Sequence, residues 1–238
     1  MLQEINALII GNSPYGGFFF GPVVDSTYVR SLPGVSLLEG HFDSSVKVMV
    51  GHNSEEGSLF TSPFIQTQQE YIAFIQQIFP VASESVISYI TKTLCPPIFN
   101  GSYGYLNQFE RTALTVGDIT ITCNTRFLDT AFKNQTYSYI FSVPEGLHGE
   151  DVAYTFFNGD TSTADEGPPV NANLAGIFQD YLTSFAARGT PNADGLPWFP
   201  VYGMNESVKV VEDSDFDVVE VDPMANQRCA YWQSAPYA

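Results

Sequence analysis

The spacing of apolar residues predicts strands that alternate with helices. Short runs rich in β-branched and aromatic residues at 45–51 and 137–143 predict two buried strands, each followed by a glycine-containing loop. Residues 207–212 and 218–221 are two further strand candidates, separated by an acidic turn. Strands alternating with helices are typical of a layered α/β fold. There is no internal repeat.

Two helices are predicted after the first strand. Thr67 and Glu70 have the spacing of a capping box, and the apolar face that follows stops at Pro80. A second helix over 86–94 ends where two prolines follow Cys95. Together these helices predict a helical insertion between the strands at 45–51 and 137–143.

Two further segments have helical spacing, and one of them is ambiguous. Residues 119–122 have the composition of a strand, but apolar positions repeat every four residues at Ile119, Cys123, Phe127 and Ala131, so we favour a helix across 111–133. The clearest helix covers 174–185, with Gly189 after its last turn. The polar residues 159–169 before it predict an exposed linker.

Composition limits the class of protein and its partners. The 238 residues are 44% apolar, which is enough to form the core of one large domain. With 26 acidic and 9 basic residues the net charge is −17, so nucleic acid and anionic membranes are poor partners. No apolar run reaches the roughly 18 to 20 residues that a transmembrane helix needs.

The signals for the cellular compartment conflict. Asn100, Asn134 and Asn205 each begin an N-glycosylation sequon, and three sequons in a chain of this length favour a secreted glycoprotein. Residues 1–5, however, contain no basic or apolar region of a signal peptide. We therefore expect an N-terminal part that is missing from this sequence. The alternative is a cytosolic protein with unused sequons.

The cysteines and histidines show no spacing of a metal site. There are three cysteines, Cys95, Cys123 and Cys229. In an oxidising compartment two of them would pair and one thiol would be left over, whereas in the cytosol all three would stay free. No Cys-x-x-Cys or His-x-x-x-His spacing occurs, so neither a metal nor a cofactor is expected. Of the other histidines, His41 is expected on the surface and His52 at the surface or in a supporting position.

His148 is the candidate general base. It lies in a glycine-rich loop at 146–149, directly after the strand predicted at 137–143. Glu56 lies in the loop after the first strand and could orient the imidazole. Acid before histidine is the chain order of α/β-hydrolases. The order alone is not specific, because 26 carboxylates and three histidines offer many such pairs.

Five segments resemble the C-terminal half of type-B carboxylesterases, the group that includes cholinesterases and fungal lipases. They are Phe20-Gly21-Pro22-Val23-Val24-Asp25, the segment from Val48 to Gly57, His148-Gly149-Glu150-Asp151, the segment from Phe185 to Pro200, and Arg228-Cys229-Ala230-Tyr231-Trp232. The resemblance implies that Glu56, rather than its neighbour Glu55, is the triad acid and that His148 is the base. It also implies a Cys123–Cys229 disulfide, with Cys95 free or paired outside this sequence.

The fold implied by the resemblance is the C-terminal part of a single α/β-hydrolase domain, covering residues 1–238. It consists of a mostly parallel central sheet with flanking helices and a helical insertion. The family's Gly-x-Ser-x-Gly elbow does not occur; Gly11-Asn12-Ser13-Pro14-Tyr15 lacks the second glycine, and Pro14 has no N–H to donate to an oxyanion. We therefore expect a portion that lacks the nucleophilic serine and is inactive alone.

Two functions are consistent with this sequence. The first is a secreted carboxylesterase or lipase, in which a serine outside this chain would act with His148 and Glu56 on small-molecule or lipid esters through an acyl-enzyme. The second is a non-catalytic, cholinesterase-like binding or adhesion module. Retention of both Glu56 and His148 favours the enzyme.

Overall fold

The computed structural model describes residues 2–13, 15–17, 22–162, 167–213 and 216–238. Pro14, the aromatic cluster at 18–20 and Gly21 lie outside these ranges, as does part of the linker expected at 159–169. The described residues of that linker are exposed, apart from a partly buried Gly167. Among the described helices, none combines the length and apolar character needed to cross a bilayer.

A four-stranded, mostly parallel sheet forms the centre of the described fold. Its strands lie side by side in chain order: β1 (Met49–Asn53), β2 (Tyr137–Phe141), β3 (Ser207–Val211) and β4 (Val219–Val221). The first three strands are parallel, and β4 runs antiparallel to β3. The structure therefore confirms all four predicted strands and the mostly parallel sheet.

The boundaries of β1 differ from the sequence prediction. The predicted start at Ser45 is wrong because Asp43 accepts hydrogen bonds from the backbone N–H and hydroxyl of Ser45, which hold a turn there. At the other end, pairing with β2 continues to Asn53 opposite Phe141, so the strand passes its glycine. His52, expected at the surface or in a supporting position, is therefore a buried strand residue.

Helices precede β1, form the insertion between β1 and β2, and follow the later strands. They are α1 (Leu2–Asn12), α2 (Pro33–Leu38), α3 (Gln68–Ile78), α4 (Glu84–Tyr89) with a π-helical turn (Ile90–Leu94), α5 (Gln108–Gly117) with a π-helical turn (Asp118–Thr122), α6 (Cys123–Ala131), α7 (Asp151–Thr155), α8 (Ala172–Arg188) and α9 (Gln227–Gln233). The capping box at Thr67 and Glu70 is present, and α8 is followed by Gly189 as predicted. The insertion comprises α3 to α6.

The ambiguous segment at 111–133 is helical. Threonine hydroxyls within it bond backward to the helix backbone, as when Thr115 donates to the carbonyl of Arg111 and Thr120 to that of Val116. These bonds satisfy the threonine hydroxyls inside the helix, so β-branched residues can be accommodated there without leaving a polar group unpaired. The four-residue repeat was therefore the correct signal, and the strand-like composition was misleading.

Arg111 holds the insertion together from within. Its guanidinium is fully buried and lies 3.8 Å from the ring centroid of Tyr71. It donates to the carbonyl oxygens of Cys95 and Thr91 and to the side-chain oxygens of Gln68 and Gln108. These contacts join α3, the turn after α4 and α5 through one cation.

The disulfide implied by the resemblance is present. It joins Cys123, at the start of α6, to Cys229 in α9, with a Cα–Cα distance of 5.1 Å. Both residues are buried in an apolar cluster formed mainly by the insertion and α9. Cys95 is a buried free thiol, and burial raises its pKa, which keeps it protonated. A second cluster lies between the sheet and helices α7 and α8.

A buried carboxyl group lies at the opposite end of β2 from the histidine loop. Asp129 is 1% exposed and accepts hydrogen bonds from the hydroxyls of Thr136 and Ser138. Burial raises its pKa to about 6, and the charge of Asp222 acts in the same direction. Because the folded pKa exceeds the usual 3.8, Asp129 favours the folded state below about pH 4, and this contribution disappears as the pH rises through about 6.

We expect Asp129→Asn to stabilise the protein at pH 7.5, by up to about 2 to 3 kcal/mol, and to give no such gain at pH 4. The amide keeps an oxygen for both hydroxyls and carries no charge to bury. Its NH₂ group takes the place of Oδ2, which is buried without a hydrogen-bond partner among the described residues, so the gain is smaller than loss of the charge alone would give. Urea unfolding of both proteins at the two pH values measures the difference. Replacement of the exposed Asp180 on α8 is the control. A stability loss at pH 7.5, or a gain that does not change with pH, would contradict the assignment.

Candidate active site

The two loops that carry Glu56 and His148 lie at one edge of the sheet. β1 and β2 are adjacent and parallel, so their carboxyl ends lie at the same edge, where ligands bind in open α/β sheets. The pairing continues into the loops, since Ser54 donates its N–H to the carbonyl of Phe141 and Glu55 to that of Gly146. The sheet itself therefore places the two loops in contact.

The structure brings the predicted acid and base together. Nδ1 of His148 lies 2.5 Å from Oε2 of Glu56. The Glu56 side chain is 3% exposed, whereas that of His148 is 45% exposed. A carboxylate at Nδ1 favours the neutral tautomer with its proton on that nitrogen. Nε2 is then the ring nitrogen that can accept a proton from a nucleophile.

The backbone fixes the position of Glu56. Its Oε1 accepts the N–H of Asn53 at 2.6 Å, so the two carboxylate oxygens have different partners. The next residue is Gly57, where a Cβ atom would collide with the carbonyl oxygen of Ala113 in α5. Glycine is required at this close approach, which accounts for the Glu-Gly order in the acid loop.

Local contacts also fix the conformation of the loop that carries His148. Gly146 has φ +72°, a left-handed conformation, and a side chain there would collide with Ser54. The carboxylate of Glu150 accepts the N–H of Leu147 at 2.9 Å. On the other side of the loop, the ring of Phe60 meets the His148 imidazole at 4.9 Å in an edge-on arrangement. These contacts restrict where the imidazole can lie.

The other candidate residues lie outside this pair. Glu55 accepts a hydrogen bond from Ser58 at 3.4 Å, and burial raises its pKa. Nδ1 of His52 lies 2.8 Å from the carbonyl of Asn53, inside β1. His41 is at the surface, as expected, beside Glu39. The geometry thus distinguishes Glu56 from its acidic neighbour.

An apolar cavity of about 510 Å³ adjoins His148. Its walls include Leu59, Val143, Leu147, Val152 and Tyr154. Glu150 also lines it, and no lysine or arginine does so among the described residues. The cavity is therefore suited to uncharged apolar groups rather than to anions.

The described residues contain one cluster with metal-ligand chemistry, Asp118 with Cys123 and Cys229. It does not fit a metal, since both sulfur atoms are consumed in the disulfide. Asp118 is paired with Arg228 at 2.8 Å, which accounts for its buried charge. The cluster is therefore explained by structural contacts.

The three sequons lie in different environments. Asn100 and Asn205 are exposed. Asn134 is partly buried, and the hydroxyl of Thr136 in the same sequon donates to Asp129. The exposed pair is accessible to a glycan in the folded protein, and glycosylation of all three stays a prediction.

Comparison with known proteins identifies the family. The model of the carboxylesterase family matches residues 2–232, and the chain belongs to this family. It is 30% identical over 238 residues to the carboxylesterase patB of Penicillium expansum, covering 99% of this chain and 41% of that protein. It is also 23% identical over 210 residues to secreted lipase 4 of Gibberella zeae, covering 79% of this chain and 36% of the lipase.

The crystal structure of Aspergillus niger EstA shows the same fold. The TM-score is 0.76 at 21% identity, and the match covers 92% of this chain and 46% of EstA. The α/β-hydrolase fold expected from the sequence is therefore confirmed. The chain spans about two fifths of the length of the curated relatives it matches.

Proposed function

We propose that this chain supplies the acid and base of a serine carboxylesterase. In this proposal it forms the C-terminal portion of a single hydrolase domain, and the serine comes from sequence outside residues 1–238. The observation that carries the proposal is the 2.5 Å contact between Glu56 and His148 at the carboxyl edge of the sheet. A buried carboxylate paired with a solvent-accessible imidazole favours catalysis over an adhesive role.

The roles of the two residues follow from the geometry. Nε2 of His148 takes the proton of the serine hydroxyl as its oxygen attacks the ester carbonyl, and Glu56 stabilises the resulting imidazolium. The imidazolium then gives this proton to the leaving alkoxide, which leaves an acyl-enzyme. In the second half, His148 deprotonates water for attack on the acyl group, and the proton returns to the serine oxygen.

Two preparations test the proposal. The purified chain should show no turnover of a short-chain nitrophenyl ester above background, because it contains no Gly-x-Ser-x-Gly segment. A hybrid carboxylesterase, in which this chain replaces the matching 41% of the Penicillium expansum protein, should hydrolyse the same ester. Sustained turnover by the chain alone that is abolished by His148→Ala would contradict the assignment of the nucleophile, and a folded but inactive hybrid would contradict the function.

We also propose that the protein is exported and glycosylated. The disulfide, the exposed sequons at Asn100 and Asn205, and relatives named as secreted lipases support this proposal. Mass spectrometry of the protein recovered from a fungal culture tests it. Recovery only from cell extract, with all three cysteines reduced, would contradict it.

A further inference from the structure

Asn53 connects the acid loop to the helix that follows the histidine. It is the last residue of β1 and is 4% exposed. Its side-chain Nδ2 lies 3.1 Å from Oδ1 of Asp151 and 3.4 Å from Oε1 of Glu56. Asp151 is the first residue of α7, three positions after His148. One amide group therefore lies between two carboxylates from separate parts of the site.

The chemistry of this position favours an amide. Both neighbours are carboxylates, which accept hydrogen bonds, and the NH₂ group of asparagine has two hydrogens to donate. Its own Oδ1 has no hydrogen-bond partner among the described residues, so the contacts of Nδ2 determine how the amide is oriented. An aspartate of the same shape would place three carboxylates together, and an alanine would leave two of them without their shared donor.

Besides burial, the carboxylates of Asp151 and Glu56 both raise the pKa of Tyr139, so both lie near this side chain. The pKa of Tyr139 is raised to about 12, first by burial and then by the charges of Asp151 and Glu56. In such surroundings hydrogen bonds to charged groups are stronger than those between neutral groups. The amide of Asn53 is therefore well placed to influence the orientation of Glu56.

We propose that Asn53 is a positioning residue, which ties Asp151 and helix α7 to Glu56 and so holds the Glu56 carboxylate against Nδ1 of His148. The proposal rests on the proposed function, since it gives Asn53 a role in preparing the catalytic base. The positioning role proposed for Asn53 also differs from simple packing. The backbone N–H of Asn53 already bonds Glu56, so a side chain that only filled space would affect stability and leave the imidazole unchanged.

The test is ¹⁵N NMR of the histidine-labelled chain, with the imidazole neutral. The intact chain should show His148 protonated at Nδ1. Asn53→Ala should increase the population protonated at Nε2 about tenfold, the effect expected from losing a hydrogen bond to a charged group. Asp151→Ala, which leaves β1 and Glu56 untouched, should shift the population in the same direction and guards against misfolding of the first variant.

Asn173→Ala, on the exposed face of α8, is the matched control and should leave the tautomer unchanged. The proposal is overturned if Asn53→Ala and Asp151→Ala lower the melting temperature but not the Nδ1 population, or if the control shifts it equally. This readout needs no turnover. An inactive hybrid with the expected tautomer shifts would count against the proposed function alone, and an active hybrid without them would count against Asn53 alone.

Discussion

Replacing His148 by alanine or Glu56 by glutamine in the hybrid carboxylesterase is expected to lower kcat by about 10⁴-fold or more with little change in KM. Alanine removes the only group in the pair that can take the serine proton. Glutamine keeps the size of Glu56, but its amide can donate to Nδ1 of His148, which is 2.5 Å from the carboxylate in the structure. The imidazole would then carry its proton on Nε2 and could not act as a base.

Steady-state kinetics with a short-chain nitrophenyl ester measure both effects. The double variant should lose no more than the worse single variant, because the two residues act as a unit. Losses that multiply in the double variant would mean that the two side chains act independently. A rise in KM at constant kcat would instead assign them to substrate binding.

Among the proposed substitutions, removal of the Cys123–Cys229 disulfide is expected to lower the free energy of unfolding most. Cys123 and Cys229 are 106 residues apart, and a cross-link that closes a loop of about 100 residues contributes up to about 4.7 kcal/mol in the chain-entropy account. We expect Cys123→Ala/Cys229→Ala to lower the melting temperature of the chain by about 10 °C. The link also joins α6 to α9, so its loss should loosen the apolar cluster around it.

Thermal unfolding with and without a thiol reductant measures this effect. The reductant should lower the melting temperature of the original chain towards that of the double variant and leave the variant unchanged. Cys95 is present in both proteins, so any effect of the reductant on this free thiol is common to the two measurements. A variant that melts within about 2 °C of the oxidised chain would show that other contacts hold α9 in place.

The strands and most of the longer helices could be predicted because each carries a local signal. The capping box at Thr67 and the apolar spacing over 174–185 require only neighbouring residues, and both predictions are confirmed. The short helices α2, α7 and α9 were missed, since five to seven residues are too few for a periodic pattern. Helix α1 was missed as well; its apolar residues are not buried in the described structure.

The site could be predicted in part. Chain order and family motifs indicated Glu56 and His148, and the structure places them in contact. The link from Asn53 to Asp151 spans 98 residues and depends on how two loops meet, so no local pattern indicates it. The disulfide, with its separation of 106 residues, was accessible only through resemblance to a family. Contacts of this kind require the sheet to be assembled first.

The most direct test of the acid–base pair compares Glu56→Gln with Glu55→Gln in the hybrid carboxylesterase. The two residues are adjacent and chemically identical, but Glu56 contacts His148 and Glu55 contacts Ser58. We predict a loss of kcat of about 10⁴-fold or more for Glu56→Gln and of less than about 10-fold for Glu55→Gln. Equal losses, or a larger loss at Glu55, would contradict the assignment of Glu56 as the residue that orients His148.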